Sequence, residues 1–535
     1  MAAAIGRRIK SFMARLARSP IETLLIAVAF AIGGYVVAYP LAVVYYPPIT
    51  DLPFHAACTS VLRHYFDPGW HFREQFTLHM LESPYWMHWG LGALLALLMP
   101  IVPAVKLSTV VMLAMLPVGL AVMFHGMRKS PLLGLTGLWL VWTTLTHWGF
   151  INFMAAIGMF AMVVGFTLLT LDRGDRSHKI GLALSLLAVF GTHIFRFPFA
   201  LAAVVGTTLV MAPATRKWKP VLLPLVPSFV ALGVWLSVRK KELSADGMEP
   251  LKPHFDRLAE VPTILFNAFA GVEERQAANL SLTAILAVFA VCTAFFFIER
   301  RWRGWQPRDR WWAAGVTLLP ICLSFVFLAM YLVLPMAIGI WWYVYPREIV
   351  AAAFLLVGVI PNLPKPSLAK LPAVLALGLT AGNQALFVAR NYHDFDAHTE
   401  DFRRIVSHLP QAPKLGYMVF DHSGTNRVTT PFIHLPAWVQ AEKGGWLSFH
   451  FLAWNVAPIR YRDNSPNVPP PFPLRFEWEP QRFDVATRGK FFDWFLIRSP
   501  GSPDYKMRVD PSLKLVDHQG MWWLYHRAAP DQPGN

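Results

Sequence analysis

A chain of 535 residues that is 55% hydrophobic, 14% aromatic and only 15% charged is neither disordered nor an ordinary soluble enzyme, since soluble chains carry about a quarter charged residues. Its 48 Lys+Arg against 32 Asp+Glu leave a net +16, a surplus expected either of a nucleic-acid binder or of basic loops that hold membrane spans in place. Three cysteines exclude a disulfide scaffold.

A helix needs about 20 apolar residues to cross the hydrocarbon core. The first such run, Ile21 to Tyr39, follows Arg7, Arg8, Lys10, Arg15 and Arg18. Tyr45-Tyr46-Pro47-Pro48 comes after it instead of a small-residue cleavage site, so it reads as a retained span with a cytoplasmic N-terminus. Next comes Thr50-Asp51-Leu52-Pro53-Phe54-His55. Pro53 sits just inside a helix start, and Asp67-Pro68-Gly69 ends that helix. Asp51 is placed either to cap it or to accept a proton from an attacking hydroxyl at the membrane surface. His55, one turn on, can share that face; the alternative is an interfacial histidine, the expectation for most of His64, His71, His79 and His88, whose spacing fits no metal site. Pro84 to Pro103, interrupted by Pro100 and Pro103, is expected to lie on or dip into the outer leaflet rather than cross it.

Further spans are expected near residues 104–124, 131–147, 150–171, 180–195, 197–212, 220–238, 280–298, 313–334, 347–362 and 371–390, about eleven with the first. Arg128-Lys129, Asp172 to Lys179, Arg216 to Lys219, Glu299 to Arg310 and Lys365 to Lys370 fall between them on the cytoplasmic side. Two long outer loops remain, 41–103 and 239–279, together with a tail. The chain thus divides into a transmembrane unit 1–390 and an extracytoplasmic unit 391–535. The charge surplus is then mostly topology. No basic stripe with interleaved aromatics appears on a soluble segment, so no nucleic-acid partner is expected.

Polar residues gather at the outer ends of the spans: His147 and Asn152 in one hairpin, His193 and Arg196 in another, Arg347-Glu348 at the start of the tenth span. An ionisable group at membrane depth is costly and marks function by default. Arg196 and Arg347, with His193, are suited to hold a phosphate from above. Snorkelling is the alternative, or for Arg347 a local pair with Glu348. The second outer loop carries Lys240, Lys241, Glu242, Asp246, Glu249, His254, Asp256, Arg257, Glu273, Glu274 and Arg275. It reads as a solvated loop of mixed sign, with Glu273, Glu274 and Arg275 the candidates should it close over a substrate. In the tail, a helix over His398 to Leu409 and strands at Leu415 to Phe420, Trp494 to Ile497, Leu513 to Val516 and Trp522 to Tyr525 make a small α/β or α+β unit. It has no nucleophile elbow, zinc-protease motif or phosphate loop. It is expected to pack on the membrane part and shape a site, or to recognise an acceptor.

The early outer acid Asp51, the Pro-led apolar helix from Ser83-Pro84-Tyr85, the second long loop after the seventh span and the soluble closing unit together resemble the polytopic GT-C glycosyltransferases. These include protein O-mannosyltransferases and the bacterial aminoarabinose and arabinofuranosyl transferases. The resemblance implies an α-helical polytopic fold in an inner membrane and a polyprenyl-phosphate sugar donor in the outer leaflet. It implies a glycan, lipid or protein acceptor, with Asp51 as base or close helper. Arg196, Arg347 or both would hold the leaving lipid phosphate. Many members have two adjacent acids in the first loop, whereas Leu52 follows Asp51 here, so no metal is expected, nor any other cofactor. The competing classes are a transporter or flippase, which should show paired repeats and midplane charges, and a polymerase or ligase of lipid-linked glycans.

Overall fold

The computed structural model describes residues 20–239, 251–299, 303–339, 341–423, 427–454, 457–463, 465–473 and 475–528. Lys240, Lys241, Glu242, Asp246 and Glu249 of the second loop lie outside them. Among the described residues, eight helices are long and apolar enough to cross a membrane: Pro20–Ala42, Ile101–Gly126, Ile151–Asp172, Ile194–Thr215, Lys219–Val238, Glu273–Ile298, Pro307–Val333 and Leu368–His398. The other three expected spans are shorter. Arg176–Thr192 has 17 residues, and Val344–Leu356 has 13, extended by a 3-10 turn Val357–Val359. The third, between them in kind, is a 3-10 helix Pro131–Leu140 followed by a short α-helix Thr144–Trp148.

That last segment shows how an apolar run can cover distance without being a long α-helix. A 3-10 helix rises about 2.0 Å per residue rather than 1.5 Å. Its poorer internal bonding is tolerable only where neighbours supply partners. Gln384 Nε2 donates to the Trp139 carbonyl at 3.3 Å, Trp139 Nε1 donates to Ala278 O at 3.1 Å, and Trp142 Nε1 donates to Val36 O at 2.8 Å.

The expected basic turns meet at one end of the bundle. Arg128 pairs with Asp172 at 2.6 Å and Asp309 at 3.2 Å, Lys129 Nζ reaches Gly358 O at 2.7 Å, and Lys370 pairs with Glu22 at 2.7 Å. Helices Ile101–Gly126 and Ile151–Asp172 touch backbone to backbone. A Cβ on Gly119 would lie 2.0 Å from the Gly158 carbonyl oxygen, and one on Gly126 2.4 Å from that of Gly165. Such small-residue seams let spans approach closely where lipid gives no hydrophobic drive to associate.

At the other end, the first loop folds into helix Leu52–His64, a short strand Phe76–Leu78 and helix Met87–Leu95. With nine residues the last is too short to span. The tail builds a five-stranded sheet in the order Trp446–Leu447, Lys414–Val419, Trp494–Arg498, Trp522–Arg527, Leu513–Gln519. The first three run parallel, the fourth runs antiparallel to the third, and the fifth antiparallel to the fourth. Its helix Ala437–Lys443 packs on the first-loop helix. Strand Phe76–Leu78 pairs antiparallel with Ile459–Tyr461 of the tail, and Tyr45 and Tyr46 hydroxyls both donate to Glu442.

Candidate active site

Asp51 is set by backbone before its side chain acts. Helix Thr144–Trp148 ends at Gly149, whose φ of 101° only glycine adopts readily. The freed carbonyls there accept from the first loop: Thr50 N–H donates to His147 O at 2.9 Å, and Asp51 N–H to Trp148 O at 3.2 Å. A Cβ on Gly149 would stand 2.6 Å from the Asp51 Cβ. Gly149→Ala is therefore expected to cost about 1–3 kcal/mol in backbone strain, plus the contact with Asp51. Gly174→Ala, also at positive φ (73°) but with its nearest neighbour 3.7 Å away, isolates the strain. Thermal midpoints that fall equally in both variants would eliminate the Asp51 contact.

Asp51 holds the N-cap position of Leu52–His64, yet its side chain makes no capping bond. Its Oδ1 instead accepts from His434 Nδ1 of the tail at 3.1 Å, and the side chain is 33% exposed. The loop's other acids are held locally: Asp67 by His64 at 2.7 Å, Glu74 by His71 at 2.5 Å and Glu82 by His79 at 2.8 Å, each three residues apart. His88 is buried on Thr109 at 3.1 Å. His55 does not share an open face with Asp51. It is buried, with Nδ1 accepting from Trp89 Nε1 at 2.7 Å and Nε2 against Gly149 O at 3.3 Å. Burial holds its pKa below the usual histidine value; Nδ1 is taken by Trp89, and Nε2 alone reaches the Gly149 turn.

The two arginines part company. Arg196 and Glu348 are both buried and form a bidentate pair, one limb at 2.7 Å. The guanidinium lies 4.7 Å from the Phe153 ring centroid. The local pair Arg347–Glu348 anticipated above is thus replaced by one across 152 positions. Arg347 donates from Nη2 to Trp342 O at 2.8 Å and rests 4.1 Å over Phe150, beside Gly149 in sequence; its buried Nε has no partner. Desolvation raises the Tyr85 hydroxyl above the usual tyrosine value, while the Arg347 charge lowers it and that of Asp51 raises it. His193 is buried, its Nδ1 unpartnered and its ring 6.0 Å from that of Tyr85. Asn152 is buried in the same region.

Glu273 is exposed, Arg275 half-buried, and Glu274 buried with Oε2 accepting the Phe269 N–H at 3.0 Å. Glu274 therefore closes the turn that starts helix Glu273–Ile298. The same turn is stitched to the tail, where Phe269 bridges Arg427 and Val428 N–H donates to Ala268 O at 2.9 Å. Burial pushes Arg427 down to about 10, and its guanidinium lies 4.7 Å over Phe269. Arg257, another charged residue of the second loop, binds Tyr331 O at 3.1 Å and Leu334 O at 2.6 Å at a helix end.

Asp51, Arg347, His193 and the Arg196–Glu348 pair thus gather at one end of the bundle, while Glu273 and Arg275 stand at the second-loop turn. His434 escapes a reading by local pattern; Ile433-His434-Leu435 in an otherwise apolar stretch is its sole mark in the sequence. Among the described residues no group of three or more His, Cys, Asp or Glu is disposed to hold a metal ion.

No family model and no curated protein matches the chain. Solved structures do. ArnT from Cupriavidus metallidurans in the apo state superposes with a TM-score of 0.54 at 14% identity, over 96% of this chain and 100% of that one. The same protein bound to undecaprenyl phosphate gives 0.50 at 14% identity, with the same coverage. The arabinofuranosyltransferase AftD from Mycobacteria gives 0.48 at 13% identity, over 96% of this chain and 40% of that one. The chain shares the fold of ArnT, a polytopic helical membrane fold with a small C-terminal sheet domain, as the resemblance implied.

Proposed function

We propose that this chain is an integral-membrane glycosyltransferase that moves a sugar from a polyprenyl-phosphate donor to an acceptor hydroxyl on a glycan, lipid or protein. One observation carries the reading. A part-exposed carboxylate, Asp51, and a guanidinium with an unused N–H, Arg347, lie at one end of a bundle with the fold of ArnT, a protein whose structure has been solved with undecaprenyl phosphate. The site end faces the extracytoplasmic side of the inner membrane, because the basic turns gather at the opposite end. The N-terminus is cytoplasmic and the tail, residues 391–535, extracytoplasmic.

In this reading Asp51 takes the acceptor proton as the hydroxyl attacks the anomeric carbon. Arg347 faces the phosphate that leaves with the bonding electron pair. Arg196, neutralised by Glu348, fixes the helix start that aims Arg347, and His193 lines the same side. Glu273 and Arg275 remain available at the second-loop turn, whereas Glu274 is committed to holding it. The reading is tested in membranes supplied with labelled polyprenyl-phosphate sugars, with and without the protein. Arg347→Met is expected to weaken binding of undecaprenyl phosphate at least about tenfold, with Arg347→Lys between it and wild type, as a fork replaced by a point charge. Equal affinities in all three remove Arg347 from the phosphate.

A further inference from the structure

We infer that His434, carried by the tail, is a positioning residue for Asp51, holding the carboxylate so that the base is complete only when the tail is docked. The inference rests on the transferase reading for its kinetic arm, and a second arm stands without it. An ionised carboxylate only accepts, so the 3.1 Å contact places the proton on His434 Nδ1. With Oδ1 taken, Oδ2 is left for an acceptor hydroxyl. Asp51 has no capping bond to its own helix. A carboxylate one-third exposed and otherwise unbound would rotate between staggered wells.

The imidazole is itself clamped. Its ring lies 4.2 Å from that of Phe54, three residues beyond Asp51, at an interplanar angle of 34°. His450 packs on the same Phe54 at 4.6 Å. His434 stands just ahead of helix Ala437–Lys443, the tail element that rests on Leu52–His64. Among the charged and titratable groups that face it are Asp51 from the first loop, and His422 and His450 from the tail. Burial keeps His450 below the usual histidine range, and His422 is lowered too, so Asp51 is the one anion His434 serves among them.

In the transfer step the acceptor O–H bond breaks as oxygen bonds to the anomeric carbon, and the bond from that carbon to the phosphate oxygen breaks. The electron pair leaves with the polyprenyl phosphate and the proton ends on Asp51 Oδ2. His434 neither gains nor loses a proton; it fixes direction.

The test compares His434→Ala with His434→Asn, whose Nδ2–H sits where the imidazole Nδ1–H does. With a polyprenyl-phosphate sugar that the wild type turns over, kcat is expected to fall at least about tenfold in the alanine variant, with KM for the donor within about twofold. The asparagine variant should recover to within about threefold of wild type. The second arm needs no sugar. A water-soluble carbodiimide at fixed pH, read by mass spectrometry, should label Asp51 at least about threefold faster in the alanine variant and at the wild-type rate in the asparagine variant. Alanine and asparagine variants that behave alike in labelling overturn the inference. Absence of turnover by wild type with every donor counts against the transferase reading alone. Thermal midpoints of both variants, read alongside, show that they remain folded.

Discussion

Asp51→Asn is expected to reduce sugar transfer by about 10²–10⁴-fold, the range for losing a positioned general base. The amide oxygen can still accept from His434, so the 3.1 Å contact and the docked tail survive. The thermal midpoint should barely move. Asp67→Asn supplies the control, because that carboxylate lies on the same loop but is held by His64 at 2.7 Å; its transfer should stay within about twofold of wild type. Labelled polyprenyl-phosphate sugars and a chromatographic readout suffice. Undiminished transfer by Asp51→Asn would sink the proposed role of this carboxylate while leaving the fold assignment intact.

The largest stability effect is expected at Glu348. Its partner Arg196 is buried at 4% exposure, and truncating the acid leaves a guanidinium with no counter-charge in an apolar setting. Removing one member of a buried pair typically costs about 3–5 kcal/mol. Glu348→Ala should therefore lower the thermal midpoint in detergent and the yield of folded protein. The double variant Arg196→Met/Glu348→Leu should regain most of that loss, because the charge that needed a partner is gone. A single variant as stable as wild type would show that solvent or lipid headgroups already reach Arg196. The aromatic faces of Phe153 and Phe327, at 4.7 and 5.3 Å, remain to receive the methionine.

Elements set by local rules were legible in the residues. The helix expected to begin near Asp51 and stop at Asp67-Pro68-Gly69 runs Leu52–His64, because a proline at its start and a Pro-Gly stop act over a few positions. The tail strands at Lys414–Val419, Trp494–Arg498 and Trp522–Arg527 follow alternation and turn residues in the same way. Asp51, the acid of the candidate site, stands out in the residues because it opens a helix just beyond an apolar run. Its partner does not. His434 lies 383 positions away, and nothing in a short window connects them. The same holds for Arg196 with Glu348, where adjacency had suggested Arg347 instead. Segment 131–148 departs in form, with a 3-10 helix followed by a short α-helix. Its apolar content marks a span, but Gly134 and Gly137 press against the neighbouring helix, where Cβ atoms would lie 2.6 and 3.1 Å from its backbone. The 3-10 form accompanies the close approach that these two glycines allow.

The pairing of Phe76–Leu78 with Ile459–Tyr461 carries a consequence in time. Arg460 is synthesised 383 residues after Thr77, which faces it across the strands. At about 5–20 residues per second, the first loop waits roughly 20–75 s before its partner leaves the ribosome. During that interval Asp51 is without His434, and the edge of Phe76–Leu78 is open to any extended peptide nearby. The order of synthesis therefore makes Asp51 the first part of the candidate site to arrive and His434 among the last. A chain interrupted before the tail would present a nearly complete bundle in which Asp51 lacks its histidine partner.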